Sequence, residues 1–169
     1  MKNIVLIGFM GVGKGSIARE MVQLSDFISL DTDDMIESMQ NRKIKDIFES
    51  EGEEYFRELE KKVACHLKKN IKNTIISTGG GFYKQKALKD IGVVVFLNAP
   101  FEKILDRIKS HPDAEKKLKK RPLLADLDRA KKLYDQRLSE YLKVADIVIE
   151  VADKSAKDSA KEILKKVKK

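Results

Sequence analysis

Ile4-Val5-Leu6-Ile7-Gly8-Phe9-Met10-Gly11-Val12-Gly13-Lys14-Gly15-Ser16 is the stretch on which the fold turns. Its first four residues are apolar throughout, as a strand buried on both faces requires, and Gly8 ends the run. A glycine-rich loop follows and leads into Lys14, and Ser16 to Leu24 reads as a helix. Strand, glycine loop and helix in this order make a phosphate cradle. The glycines let the backbone turn tightly so that successive N–H groups face phosphate oxygens. The helix amino end adds partial positive charge, and a lysine at position 14 reaches the β- and γ-phosphates. An ordinary glycine-rich turn is the plainer reading, but it accounts for neither the lysine nor the flanking elements. The nucleotide-binding stretch is therefore expected to comprise Gly11, Val12, Gly13, Lys14, Gly15 and Ser16. One position breaks the pattern. The residue after the lysine ordinarily carries a hydroxyl that ligates magnesium, yet position 15 is glycine. Ser16 lies about 100° further around the helix and cannot simply replace it. Phosphate cradling is expected to survive, and direct metal coordination from this position is not.

Working outward, four more short apolar runs follow: Phe27 to Leu30, Thr74 to Ser77, Val93 to Leu97 and Ile147 to Ile149. Helical spacing joins Phe56, Leu59, Val63 and Leu67, then Ile104, Leu105 and Ile108 after Pro100, then Leu133, Leu138, Tyr141 and Leu142. A last helix carries Ala156, Ala160, Ile163, Leu164 and Val167, with Ser155 and Asp158 as its capping box. Buried strands alternating with amphipathic helices predict an α/β fold, a five-stranded parallel sheet flanked by helices. Ligands of such sheets bind beyond the carboxyl ends of the strands, where the unusual residues of this chain fall. The 169 residues suit a single domain, 1–169, with an acceptor-binding region at about 31–62. Residues 110–124, rich in lysine and without apolar periodicity, form a candidate mobile lid.

Composition narrows the function classes. A hydrophobic fraction of 42% supplies a core. The net charge of +8 comes from 35 Lys and Arg against 27 Asp and Glu, but the lysines crowd near the carboxyl end without interleaved aromatics. That is the signature of a solvated helix face rather than of a nucleic-acid surface. One cysteine, Cys65, allows no intrachain disulfide, and it falls in a helical pattern where it is expected to pack. No apolar run approaches the roughly 20 residues of a membrane span, and the first residues do not read as a signal peptide. The expected setting is cytoplasmic, with no nucleic-acid or membrane partner.

Several residues could carry chemistry beside the phosphate loop. Asp31 and Asp33 end the second strand, two apart, so in an extended segment both carboxylates share a face. A kinase needs one carboxylate near its magnesium and another near the attacking hydroxyl. Capping of a following helix is the competing account of the same cluster. Arg57 and Glu60 are neighbours on one helix face, either as a surface ion pair or as an arginine fork aimed at a substrate carboxylate. Phe48 and Phe56 could wall that pocket. Gly79-Gly80-Gly81 closes the third strand and brings backbone close to a partner, or else forms a loose loop. Arg121 stands in the non-periodic segment and Arg137 on the helix after it. His66 and His111 are assigned no role.

In combination these residues resemble the shikimate kinase family, of the nucleoside-monophosphate-kinase-like P-loop fold. The resemblance runs from about Asn3 to Val151. It rests on residues 8–14, Asp31-Thr32-Asp33, and Phe48 followed by Gly52-Glu53, Phe56-Arg57 and Glu60. It continues through Ser77-Thr78 and the three glycines, Arg121-Pro122-Leu123-Leu124, and Arg137 with Tyr141. It implies a three-layer P-loop kinase that uses ATP with Mg²⁺ to phosphorylate the 3-hydroxyl of shikimate, acting as a monomer in aromatic amino-acid and chorismate biosynthesis. It further implies Asp33 as base and acceptor ligand; Arg57, Arg137 and the backbone of Gly79, Gly80 and Gly81 as acceptor ligands; and Lys14 as a catalytic cation. Asp31 would hold the metal through water, Arg121 would be the lid arginine, and Arg107 would stack near adenine. Two other readings stand beside it: a kinase of another small acceptor such as gluconate or a nucleoside monophosphate, and an ATP-binding protein with weak turnover through Gly15.

Overall fold

Every strand of the sheet is short and runs the same way. In the computed structural model, which describes residues 2–119 and 122–168, β1 (Asn3–Ile7) is buried along its whole length. It lies between β3 (Thr74–Ser77) and β4 (Gly92–Asn98), with β2 (Ile28–Asp31) and β5 (Ile147–Glu150) as the edges. The order β2-β3-β1-β4-β5 is parallel throughout. Strands buried on both faces favour apolar residues, and Ile4, Val5, Leu6 and Ile7 are all at most 1% exposed, while the buried Asn3 side chain is satisfied by donating to Ile71 O and Ile91 O and accepting from Thr74 N.

Register sets where the site forms. Leu6 lies opposite Ser77 and Ser77 opposite Asp31. The chain therefore leaves β1, β3 and β2 at one level, and the loops after Ile7, Ser77 and Asp31 emerge side by side. Thr78 reinforces this alignment, donating from both its amide and its hydroxyl to Leu6 O, at 3.3 and 2.8 Å.

The helices are α1 (Lys14–Gln23), α2 (Thr32–Gln40), α3 (Ile44–Asn70), α4 (Leu88–Ile91), α5 (Phe101–Lys109), α6 (Ala114–Lys119), α7 (Leu127–Val144) and α8 (Ala156–Val167). The expected stripe on α3, Phe56, Leu59, Val63 and Leu67, is buried. α3 is broken at Gly52, whose φ of 83° and ψ of 178° are non-helical. The conformation rather than crowding explains the glycine, since nothing lies within 4 Å of the place a Cβ would take. Ser155 caps α8 as expected, accepting from Asp158 N at 3.0 Å.

Four expectations are corrected. Asp33 is not in extended chain but in the first turn of α2, because the Asp31 side chain caps that helix. Cys65 is exposed rather than packed, on the outward side of α3. On α7 Tyr141 is buried and Leu133 and Leu138 pack partly against the core as expected, but Leu142 is exposed, and Ala130, Tyr134 and Arg137 complete the buried face. The candidate lid segment, read as having no apolar periodicity, contains α6, with Leu118 packed partly against the core and Leu124 buried. Among the described residues no helix is long and apolar enough to cross a membrane.

Candidate active site

The phosphate loop has the backbone its glycines permit. Gly13 caps α1 in the left-handed region at φ 105°, which a side chain would disfavour. Lys14 Nζ is folded over the loop, donating to Gly8 O at 2.8 Å and Phe9 O at 3.1 Å. Arg107 braces the other flank: Nη1 donates to Val12 O at 2.8 Å and Nη2 to Val151 O at 2.7 Å. It thus ties the loop to the segment after β5.

The acidic turn is built by capping. Asp31 Oδ1 accepts from Asp33 N at 2.9 Å and from Asp34 N at 3.3 Å. The capping account of the cluster is therefore correct for Asp31, and it is what swings Asp33 inward. Asp33 Oδ1 is buried without a hydrogen-bond partner among the described residues. Burial, then the nearby Asp31 and Glu60, raise its pKa to about 7, against the pull of the Lys14 charge.

The three glycines after β3 show why the sequence needs them. A Cβ on Gly79 would stand 2.5 Å from Asp33 Oδ1, and one on Gly80 would stand 3.0 Å from Arg137 Nη1. A Cβ on Gly81 would collide with Arg57 Nη1. Each α-carbon is covered by one polar side chain, so the strip of backbone and the three side chains form a single surface. Gly79 N donates to the buried Thr32 Oγ1 at 3.1 Å, and Tyr141 Oη donates to Gly80 O at 2.6 Å. Tyr141 is itself fixed by stacking on Phe96, centroids 5.1 Å apart.

Arg57 is held from two sides. Nη1 donates to Glu60 at 2.6 Å, and Nε and Nη2 donate to Glu53 at 3.2 and 3.0 Å. Burial opposes its charge, but Glu60 and Glu53 more than offset this and raise its pKa above the ordinary value. Glu60 is fully buried, and that burial raises its own pKa. Arg137 is 8% exposed, with Nε unpartnered among the described residues. Phe48 packs on Phe56 at 4.7 Å between centroids, beside Arg57. Two guanidinium groups thus converge beside a carboxylate and a strip of backbone, next to a phosphate loop.

The fit of a divalent cation turns on the carboxylates. The unpartnered Asp33 Oδ1, with Asp31, Asp34 and Glu60 adding negative potential, is an uncompensated cluster that a cation would relieve. Yet Asp31 Oδ1 is engaged in capping, and position 15 offers no side-chain oxygen. Among the described residues no group of three or more acidic, His or Cys side chains is placed to hold a metal. The residues fit an ion held through water, not one gripped by protein ligands.

The sequence-predicted residues Lys14, Asp31, Asp33, Arg57, Gly79, Gly80, Gly81 and Arg137 fall together at the carboxyl edge of the sheet, and Arg107 flanks them. Arg121 lies outside the described residues. Thr32, Glu53 and Tyr141 were given no role from sequence. The i,i+4 spacing of Arg137 with Tyr141 and of Glu53 with Arg57 was the available signal.

The family profile described as Shikimate kinase matches residues 10–168. A shikimate kinase of Helicobacter hepaticus is 41% identical over 164 residues, covering 97% of this chain and 95% of that protein. The structure of shikimate kinase from Acinetobacter baumannii in complex with shikimate superposes with a TM-score of 0.84 at 36% identity, over 99% of this chain and 93% of that one. A gluconokinase from Sinorhizobium meliloti shares only the fold, at a TM-score of 0.55 and 11% identity over 99% of this chain and 91% of that one.

Proposed function

The chain belongs to the shikimate kinase family, and from that premise we propose how its residues divide the transfer of the γ-phosphoryl group of ATP to the 3-hydroxyl of shikimate. The observation that carries the assignment is the triple-glycine strip, with Asp33, Arg137 and Arg57 each lying over one α-carbon. The two arginines are fork donors suited to a carboxylate. Glu60 holds Arg57 in place, and Tyr141 holds the strip under Arg137. Asp33, next to the strip, faces the acceptor hydroxyls.

In the reaction the Asp33 carboxylate accepts the hydroxyl proton as the acceptor oxygen bonds to the γ-phosphorus. The bond from that phosphorus to the β–γ bridging oxygen breaks, and ADP leaves. A base with a proton affinity near neutrality is well matched to this task. Lys14 exchanges its contacts with Gly8 O and Phe9 O for phosphate oxygens. Asp31 would hold Mg²⁺ through water, and the ion supplies charge neutralisation on the phosphates. Arg107 lines the adenine end of the nucleotide site. Residues 110–124 serve as the lid, and Arg121 is assigned on sequence alone as its charge-neutralising arginine. The protein acts as a monomer in the cytoplasm, and shikimate and ATP are its partners.

Kinetics of Arg57→Ala and Arg137→Ala test the acceptor site. Each should raise the KM for shikimate by about 10–100-fold through loss of a charge-assisted contact, with the KM for ATP little changed. Loss of ATP affinity at an unchanged shikimate KM would mean that the pocket is wrongly assigned.

A further inference from the structure

Gly15 and Arg19 are four residues apart on α1 and therefore share a face. Long helical side chains run back toward the amino end of their helix, and Arg19 does so. Its Nη2 donates to Ser16 Oγ at 3.3 Å. Its Nη1 lies 3.6 Å from the point that a Cβ on residue 15 would occupy, nearer than any other atom outside the local backbone. In a P-loop that Cβ carries the hydroxyl whose oxygen reaches the magnesium bridging the terminal phosphates. The guanidinium therefore lies beside the space that the missing side chain would fill. No acidic residue lies in the first turn of α1. Among the described residues Arg19 has no carboxylate partner, only the serine hydroxyl. It is an exposed cation without an anion at the mouth of a phosphate site.

We propose that Arg19 is a phosphate-binding residue, whose guanidinium contacts the terminal phosphates of ATP through the space that Gly15 leaves open. It supplies part of the charge neutralisation that a hydroxyl-anchored magnesium gives elsewhere. A planar fork of N–H donors suits two phosphate oxygens at once, and a side chain at position 15 would stand between them. The inference rests on the reading of residues 8–16 as the ATP site and adds to it a residue outside that motif. It also gives the glycine a consequence: binding of ATP less dependent on metal than the missing hydroxyl alone would suggest.

Equilibrium binding of ATP to the full chain, in EDTA and again in saturating Mg²⁺, tests this without recourse to turnover. Arg19 is exposed, so Arg19→Ala should fold, and a melting curve checks that it does. In EDTA, Arg19→Ala should weaken ATP binding at least about tenfold, as expected for a lost charged hydrogen bond. The loss should shrink when Mg²⁺ is present, and Arg19→Lys should recover part of it. Equal affinities of wild type and Arg19→Ala in EDTA would overturn the proposal, and so would a loss of the same size with and without metal. Absence of ATP binding by the wild type under both conditions would instead overturn the ATP-site reading on which the proposal stands.

Discussion

At Asp33 two requirements meet on one carboxylate. Burial beside Asp31 and Glu60 raises its pKa to about 7, which suits a base but costs stability. Between about pH 4, where an unfolded aspartate titrates, and about pH 7, the folded chain keeps a proton that the unfolded chain has released. The contribution of this group to stability is therefore lost as pH rises through that window and stays lost above it. Asp33→Asn should stabilise the fold at pH 8 by on the order of 1–3 kcal/mol, seen as a higher Tm, and the gain should shrink as pH falls toward 4. The same variant should lose about 10²–10⁴-fold in kcat while ATP binding persists. Near-normal turnover, or a Tm gain independent of pH, would contradict this role. Gly80 offers a second test. An Ala there must displace the Arg137 guanidinium 3.0 Å away, and a shift of that kind should raise the KM for shikimate about 10–100-fold in a folded protein. A wild-type KM would show that Arg137 need not lie over the strip. These glycines were legible in the sequence as a place of close approach. Which side chain covers which glycine was not, because Asp33, Arg57 and Arg137 lie far away along the chain and reach the strip only through the register of β2 on β3 and the packing of α3 and α7.

Among the elements, those fixed by local signals were legible and those fixed by tertiary contact were not. The buried runs of β1, β3 and β4, the short apolar stretch of the edge strand β5 and the capped start of α8 could be read from patterning. Asp31 as strand end and helix cap could not be separated from Asp31 as a site carboxylate, since the same residue serves both purposes. On α7 the inward position of Tyr141 was legible, but Tyr134 and Arg137 were not, because a tyrosine packed on Phe9 and Phe101 and an arginine over the glycine strip follow no simple apolar pattern. Residues 114–119 and 122–125 showed no apolar pattern in the sequence because α6 and the 3₁₀ turn Pro122–Ala125 are short and the lysines of α6 surround a single packed leucine, Leu118. The proposed lid spans this segment. Hydrogen exchange over residues 110–125 should slow when ATP and shikimate are added together, and more than with either alone. Identical exchange in all four conditions would remove the lid from the account.

On the scale of the whole molecule, the parallel order β2-β3-β1-β4-β5 does the positioning. It delivers the phosphate loop, the acidic turn and the glycine strip to one edge, and α3 and α7 bring the two arginines over it. The net charge of +8 was legible but uninformative about this arrangement, since the site depends on four or five charges among more than sixty. In the proposed function this edge recognises a carboxylated, hydroxylated acceptor and phosphorylates it. The most direct test is ADP formation by the purified full chain with MgATP, measured without acceptor, with shikimate and with gluconate. Slow background hydrolysis is expected, with turnover raised well above background by shikimate and none of that rise with gluconate. Equal rates with and without shikimate, or a response to gluconate in its place, would contradict it.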